Sequence, residues 1–89
     1  MHPGNAGEVR ETVRAVLRDV LGLGHRADAF DDDTPLFGAL PELDSMAVAG
    51  LLTELEDRLG ILIEDDEVDG EMLESFGSLS RYAIDKSLK

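Results

Sequence analysis

Two good helix-capping residues stand side by side in Leu43-Asp44-Ser45-Met46, where a helix start needs only one. With Asp44 as the N-cap, Ser45 takes the first helical position and its hydroxyl is left free, pointing outward. Backbone N–H groups and the positive end of the helix dipole gather there, which favours a phosphoryl group attached to that hydroxyl. On the dipeptide alone, a plain helix start is the simpler reading. The other places that could do chemistry are weaker. Asp65, Glu67, Asp69 and Gly70 mimic the first, third, fifth and sixth positions of a calcium loop, but the twelfth, which needs a bidentate Glu, is Phe76. A Ser-His-Asp hydrolase would pair Ser45 with His25 or His2, yet no Gly-x-Ser-x-Gly elbow surrounds Ser45. Asp31-Asp32-Asp33 reads as a solvated loop run rather than a cation site. No catalytic residue and no metal ligand is expected.

The elements that must position Ser45 follow from spacing. Residues 1–4 are expected to be a frayed start, and Asn5 with Glu8 three residues later marks a helix N-terminus. Val9, Val13, Val16, Leu17, Val20 and Leu21 recur at intervals of three and four as one apolar stripe. Arg10, Arg14 and Arg18, with Glu11, are expected on the opposite side, and Gly22 and Gly24 stop the helix. Residues 23–44 lose the period. Their aspartates, Pro35, Gly38 and Pro41 read as loop, while Phe30, Leu36, Phe37, Leu40 and Leu43 argue for an ordered crossover that packs across the bundle.

Helix two is predicted from Ser45 to Leu59, stopped by Gly60, with Ile61 suited to the apolar contact of a Schellman ending. Val48, Leu51, Leu52, Leu55 and Leu59 share one arc, and Met46, Ala49, Gly50, Thr53 and Asp57 lie roughly opposite. The acidic stretch 64–74 is expected to hold a short helix near 66–69 and a further turn at 71–74. Ser75 then caps a last helix with Phe76, Leu79, Tyr82, Ala83 and Ile84 on its inner side. Lys86 and Lys89 suit the negative end of its dipole. The expected fold is all-α: a four-helix bundle of three main helices plus a short third one, with a long loop between helices one and two, in a single domain spanning residues 1–89.

Composition narrows the function. The 89 residues carry 8 basic and 20 acidic side chains, a net charge of −12 and no cysteine. A chain this short buries only roughly 60–65% of its unfolded surface, which leaves little room for a deep catalytic pocket. Without Cys there is no disulfide framework and no thiolate zinc site or nucleophile. Acids outnumber bases and aromatics are only 4%, so phosphate neutralisation and base stacking are both disfavoured and no nucleic-acid role is expected. Apolar runs are too short to span a membrane, no signal peptide opens the chain, and a cytoplasmic monomer is expected. Its partner should be a protein with a basic patch.

A free hydroxyl opening helix two, after a long crossover and before an apolar stripe, resembles the acyl carrier protein family. In that family an Asp-Ser-Leu or Asp-Ser-Met motif opens the second helix, and Asp44-Ser45-Met46 matches it position by position. The likeness continues through Leu51, Leu52, Leu55 and Glu56, the Leu59-Gly60-Ile61 ending and Ser75-Phe76-Gly77-Ser78-Leu79, and spans the chain from Val9 to Ile84. The run from Pro35 to Val48 is similar to stand-alone carriers encoded beside exosortase or exopolysaccharide genes, and stand-alone aminoacyl carriers are the rival subtype. The resemblance implies 4′-phosphopantetheine, taken from coenzyme A, on Ser45, with Asp44 as cap and transferase recognition element. It implies as partners a phosphopantetheinyl transferase, an acyl- or aminoacyl-activating ligase, and acyltransferase or synthase enzymes. Such a carrier is not an enzyme.

Three positions depart from the family pattern. Glu42, after Pro41, stands where a Gly usually lies three residues before the serine. Ala47 and Gly50 replace acids common two and five residues after it. The outward face of helix two is the expected docking surface: Met46 as an adaptable apolar contact, small Ala49, Gly50 and Thr53, and Glu54, Asp57, Asp65 and Asp66 as acidic guidance. The alternative is an unmodified acidic helical interaction module with a carrier-like fold, in which Ser45 would be dispensable. Whether the bundle takes in an acyl chain depends on packing gaps near Ile61 and Ile63.

Overall fold

The computed structural model describes residues 4–88. It contains three α-helices: α1 (Ala6–Leu21), α2 (Ser45–Leu59) and α3 (Phe76–Leu88). Two 3-10 segments, Gly24–Ala29 and Asp65–Glu67, lie in the connections. All three helix starts predicted from capping residues are seen, the last with Ser75 Oγ accepting the Ser78 N–H at 3.1 Å. Asn5 accepts the Glu8 N–H at 2.9 Å, and Asp44 accepts the Ala47 N–H at 2.8 Å. Of the expected frayed start, residues 1–3 lie outside the described residues, and Gly4 is tied down, donating its N–H to Glu8 Oε2 at 2.7 Å. Lys89 also lies outside the described residues. Gly22 and Gly60 end α1 and α2 at φ 66°, a left-handed conformation in which side chains other than glycine are strained.

The apolar stripes meet as expected. Val9, Val13, Val16, Leu17 and Leu21 of α1 pack with Leu51, Leu55 and Leu59 of α2 and with Phe76, Leu79 and Ala83 of α3 in one buried cluster. Phe30, Leu36 and Leu43 of the crossover join it, so the crossover is ordered. Its backbone runs beside the start of α3. Leu36 N donates to Glu74 O at 2.9 Å, Phe37 N to Leu73 O at 3.0 Å and Phe76 N to Thr34 O at 2.9 Å. Gly77 sits where the chains come closest: its N–H donates to Asp32 O, and a Cβ there would lie 2.7 Å from that oxygen.

Four expectations need correcting. Phe37 does not pack with the crossover's other apolar side chains but is 51% exposed. Adjacent residues in extended chain point to opposite sides, and Leu36 takes the inward one. Arg10 and Arg14, expected opposite the apolar stripe of α1, instead reach back to the core. Both guanidiniums lie over the Phe76 ring, at 4.8 and 4.9 Å from its centroid, and Arg14 donates to the carbonyls of Ala27 and Phe30. Their stems cover core and their charge finds a π-face, which spacing alone does not reveal. The short helix expected near 66–69 is a single 3-10 turn, Asp65–Glu67, closed by a capping box in which Glu64 N donates to Glu67 at 2.9 Å. Finally, residues 24–29, expected as loop, form a 3-10 helix.

Candidate functional site

Ser45 is the first residue of α2, and it is exposed. Because the Asp44 carboxylate does the capping, no hydrogen bond among the described residues engages the Ser45 hydroxyl. The first N–H groups of α2 have no intrahelical acceptor and face the same end. An exposed hydroxyl beside free donors and a positive helix terminus fits a phosphodiester, whose anionic oxygens those donors can meet. The residues present therefore fit a phosphopantetheine arm.

Beside Ser45 runs a cleft of about 460 Å³ between α2 and the segment leading into the second 3-10 turn. Val48, Leu52, Ile63 and Val68 give it an apolar lining, and Glu56 and Asp65 mark its polar edges. The far wall is held by three ties. Ile63 N donates to Glu56 Oε2 at 2.8 Å, Glu64 N to Glu67, and Lys86 Nζ to both Glu67 oxygens at 3.0 and 3.1 Å. The Glu64 N–H, and then Lys86, hold the Glu67 carboxyl below its ordinary value. Among the described residues, no acceptor meets the buried Tyr82 hydroxyl within hydrogen-bond geometry. Burial first, with the Glu67 and Glu56 carboxylates nearby, pushes that phenol up to about 12.

The outward face of α2 lines a second, broader groove of about 770 Å³. Ala49, Gly50, Thr53, Glu54 and Asp57 all border it. Met46, 86% exposed, stands one residue from Ser45. Asp65 and Asp66 lie exposed on the 3-10 turn, and only Asp65 borders the cleft at Ser45. Glu54 is less available than its acidity suggested, because Arg58 pairs with it at 3.5 Å and also with Asp19 at 3.0 Å. A Cβ on Gly50 would meet Val20 Cγ1 at 3.7 Å, an ordinary contact, so the fold itself does not require glycine there.

Sequence reasoning missed Leu62, which is 65% exposed and borders the broader groove. The signal was present in the Ile61-Leu62-Ile63 run: an extended segment with Ile61 and Ile63 half-buried turns the middle residue out. The two isoleucines also part company. Ile61 borders the broader groove, and Ile63 the cleft at Ser45. Among the described residues no group of three or more His, Asp or Glu side chains could hold a metal ion. Among them, too, no helix is long and apolar enough to cross a membrane.

Comparison with known proteins agrees with this geometry. The family model for the phosphopantetheine attachment site matches residues 11–83. The solution NMR structure of a holo acyl carrier protein from Nitrosomonas europaea superposes with a TM-score of 0.79 at 39% sequence identity, covering 89% of this chain and 94% of that one. No curated protein matches the chain. With a family model matched over most of its length and the fold of a holo carrier, this chain belongs to the acyl carrier protein family, non-catalytic carriers that hold 4′-phosphopantetheine covalently.

Proposed function

We propose that Ser45 is the attachment residue, and that the chain works in the cytoplasm as an acyl or aminoacyl carrier. The observation that carries this reading is the division of labour at the start of α2: Asp44 caps, and the Ser45 hydroxyl is left exposed and unbonded. In loading, the Ser45 oxygen forms a new bond to the β-phosphorus of coenzyme A. Adenosine bisphosphate leaves, and the hydroxyl proton passes to a base on the transferase. The bound arm supplies the thiol that the cysteine-free chain lacks and carries cargo as a thioester.

This chain's own residues hold and present. Asp44 fixes the helix start, and the amides of the first turn face the phosphodiester. Met46, Ala49, Gly50, Thr53, Leu62 and the carboxylates of Asp57, Asp65 and Asp66 offer an apolar centre with an acidic rim. That pattern suits the basic-rimmed faces of a transferase, an acyl- or aminoacyl-activating ligase and an acyltransferase or synthase.

The test is the intact mass of the chain after incubation with coenzyme A and a broad-specificity phosphopantetheinyl transferase, with Ser45→Ala alongside. One phosphopantetheine should be gained by the wild type and none by the variant, whose fold is expected to be unchanged because the hydroxyl is exposed and takes part in no hydrogen bond among the described residues. A loaded Ser45→Ala variant would refute the assignment. A chain that stays unloaded beside an active control carrier would instead be an unmodified docking module.

A further inference from the structure

Residues 38–43, which deliver the chain to Ser45, are weakly held by their own backbone. Their hydrogen bonds are local: Ala39 N and Leu40 N to Leu36 O, and Leu43 N to Leu40 O. Burial of Leu43 anchors one side. Among the described residues, one hydrogen-bonded tie joins this segment to another element. Arg26, on the 3-10 helix after α1, reaches Glu42 with both terminal nitrogens, Nη1 to Oε2 at 2.5 Å and Nη2 to Oε1 at 3.4 Å.

That 3-10 helix is itself fixed to the core. Ala27 is fully buried, and its carbonyl accepts from Arg14, whose guanidinium lies over Phe76. A continuous path thus runs from α1 through Arg14, Ala27, Arg26 and Glu42 to the residues beside Ser45. Glu42 is also the position where the family resemblance broke, a long acidic side chain in place of a glycine. Left alone, its carboxylate would stand three residues from Ser45 and repel the pyrophosphate of coenzyme A. Within the fork it is neutralised.

We propose that the Arg26–Glu42 pair is a positioning clamp that fixes the segment before Ser45 and so sets how that serine is presented to the phosphopantetheinyl transferase. The proposal rests on Ser45 being the attachment residue. The pair is half-exposed, so its effect should be the modest one of such pairs, about two- to fivefold.

Two readouts test it on the whole apo chain, in Arg26→Gln, Glu42→Gln and the charge-swapped Arg26→Glu/Glu42→Arg. The first is amide hydrogen exchange, which needs no loading. Leu40 and Leu43 should exchange about two to five times faster in each single variant, with the buried amides of α1 and α3 unchanged, and return to wild-type rates in the swap. The second is the kinetics of phosphopantetheine transfer from coenzyme A. The KM for the carrier should rise by the same factor in the single variants with kcat within twofold, and the swap should restore it.

Unchanged exchange in both single variants would overturn the clamp. So would a swap that fails to rescue, because Arg26 or Glu42 would then act alone. A wild-type chain that accepts no group from coenzyme A would strike the Ser45 assignment, while the exchange measurement still decides whether the clamp exists.

Discussion

At the scale of single residues, two glycines in helices make opposite predictions. Gly77 is required by the fold: a Cβ would press 2.7 Å from Asp32 O and 2.9 Å from Asp32 Cα, both backbone atoms that cannot swing away. Gly77→Ala should lose about 1–3 kcal/mol, the usual cost of forced overpacking, and the loss should appear in denaturant midpoints without a change in slope. Gly50 has room for a methyl group against Val20. Gly50→Ala should therefore stabilise the chain by roughly 0.5–1 kcal/mol through helix propensity and the less flexible unfolded chain. If partners approach α2 closely at that point, the same variant should bind its transferase more weakly while melting higher. Measuring Tm and transferase affinity together separates the two effects. A Gly50→Ala chain that melts lower would show that the Val20 contact is tighter than its distance suggests.

At the scale of elements, the wall of the cleft near Ser45 can be read as a strap. It is tied by Glu56 to Ile63 N and by Lys86 to Glu67. Ile63 alone of the two isoleucines borders the cleft, so Ile63→Trp should fill it and speed hydrolysis of a thioester-bound chain severalfold, while Ile61→Trp should leave hydrolysis unchanged. Equal rates in both variants would mean that cargo stays outside. The Glu67 tie has a pH signature. Its carboxyl is held below the ordinary 4.5, so the folded chain binds fewer protons than the unfolded one. Its contribution is therefore present above that value and lost as pH falls through the folded pKa. The Tm difference between wild type and Glu67→Gln should be largest near neutrality and vanish in acid. Local signals made much of this scale legible from residues alone. Asp44 and Gly60 bracket α2 because a cap and a left-handed glycine are decided within a few residues. What escaped depends on distant partners. The 3-10 helix at 24–29 carries no apolar period, only Ala27 to bury, and is held by Arg14. Glu42 was conspicuous as a departure, but its partner Arg26 lies 16 residues away with no spacing rule to connect them. The outward face of α2 was legible as a face, since exposure follows from the arc opposite the leucines, whereas the tie from Arg58 to Asp19, 39 residues away, was not.

At the scale of the whole molecule, the dominant electrostatic fact is a net charge of −12 within a body of 31 × 28 × 20 Å. The cations are largely spent inside the chain: Arg10 pairs with Asp32, Arg18 and Arg58 with Asp19, Arg26 with Glu42, and Lys86 with Glu67. Two effects of added salt then compete. Screening weakens these partly exposed ion pairs only slightly, because they act at contact distances where screening is least effective. It also weakens repulsion among the surplus carboxylates, where unit charges about 15 Å apart cost roughly 0.3 kcal/mol in water for each of dozens of pairs. Unfolding relieves that repulsion by spreading the charges, so repulsion acts against the fold. The Debye length shrinks from about 30 Å at 0.01 M, which spans the whole molecule, to about 8 Å at 0.15 M, which does not. Repulsion at long range is thus removed while contact pairs are mostly kept, and the repulsive sum should win. The chain is expected to melt several degrees higher at 0.15 M sodium chloride than at 0.01 M, whereas its binding to a basic partner weakens over the same range. A melting point that falls with salt would instead mean that the internal pairs outweigh the charge surplus, and that the acidic excess costs the fold little.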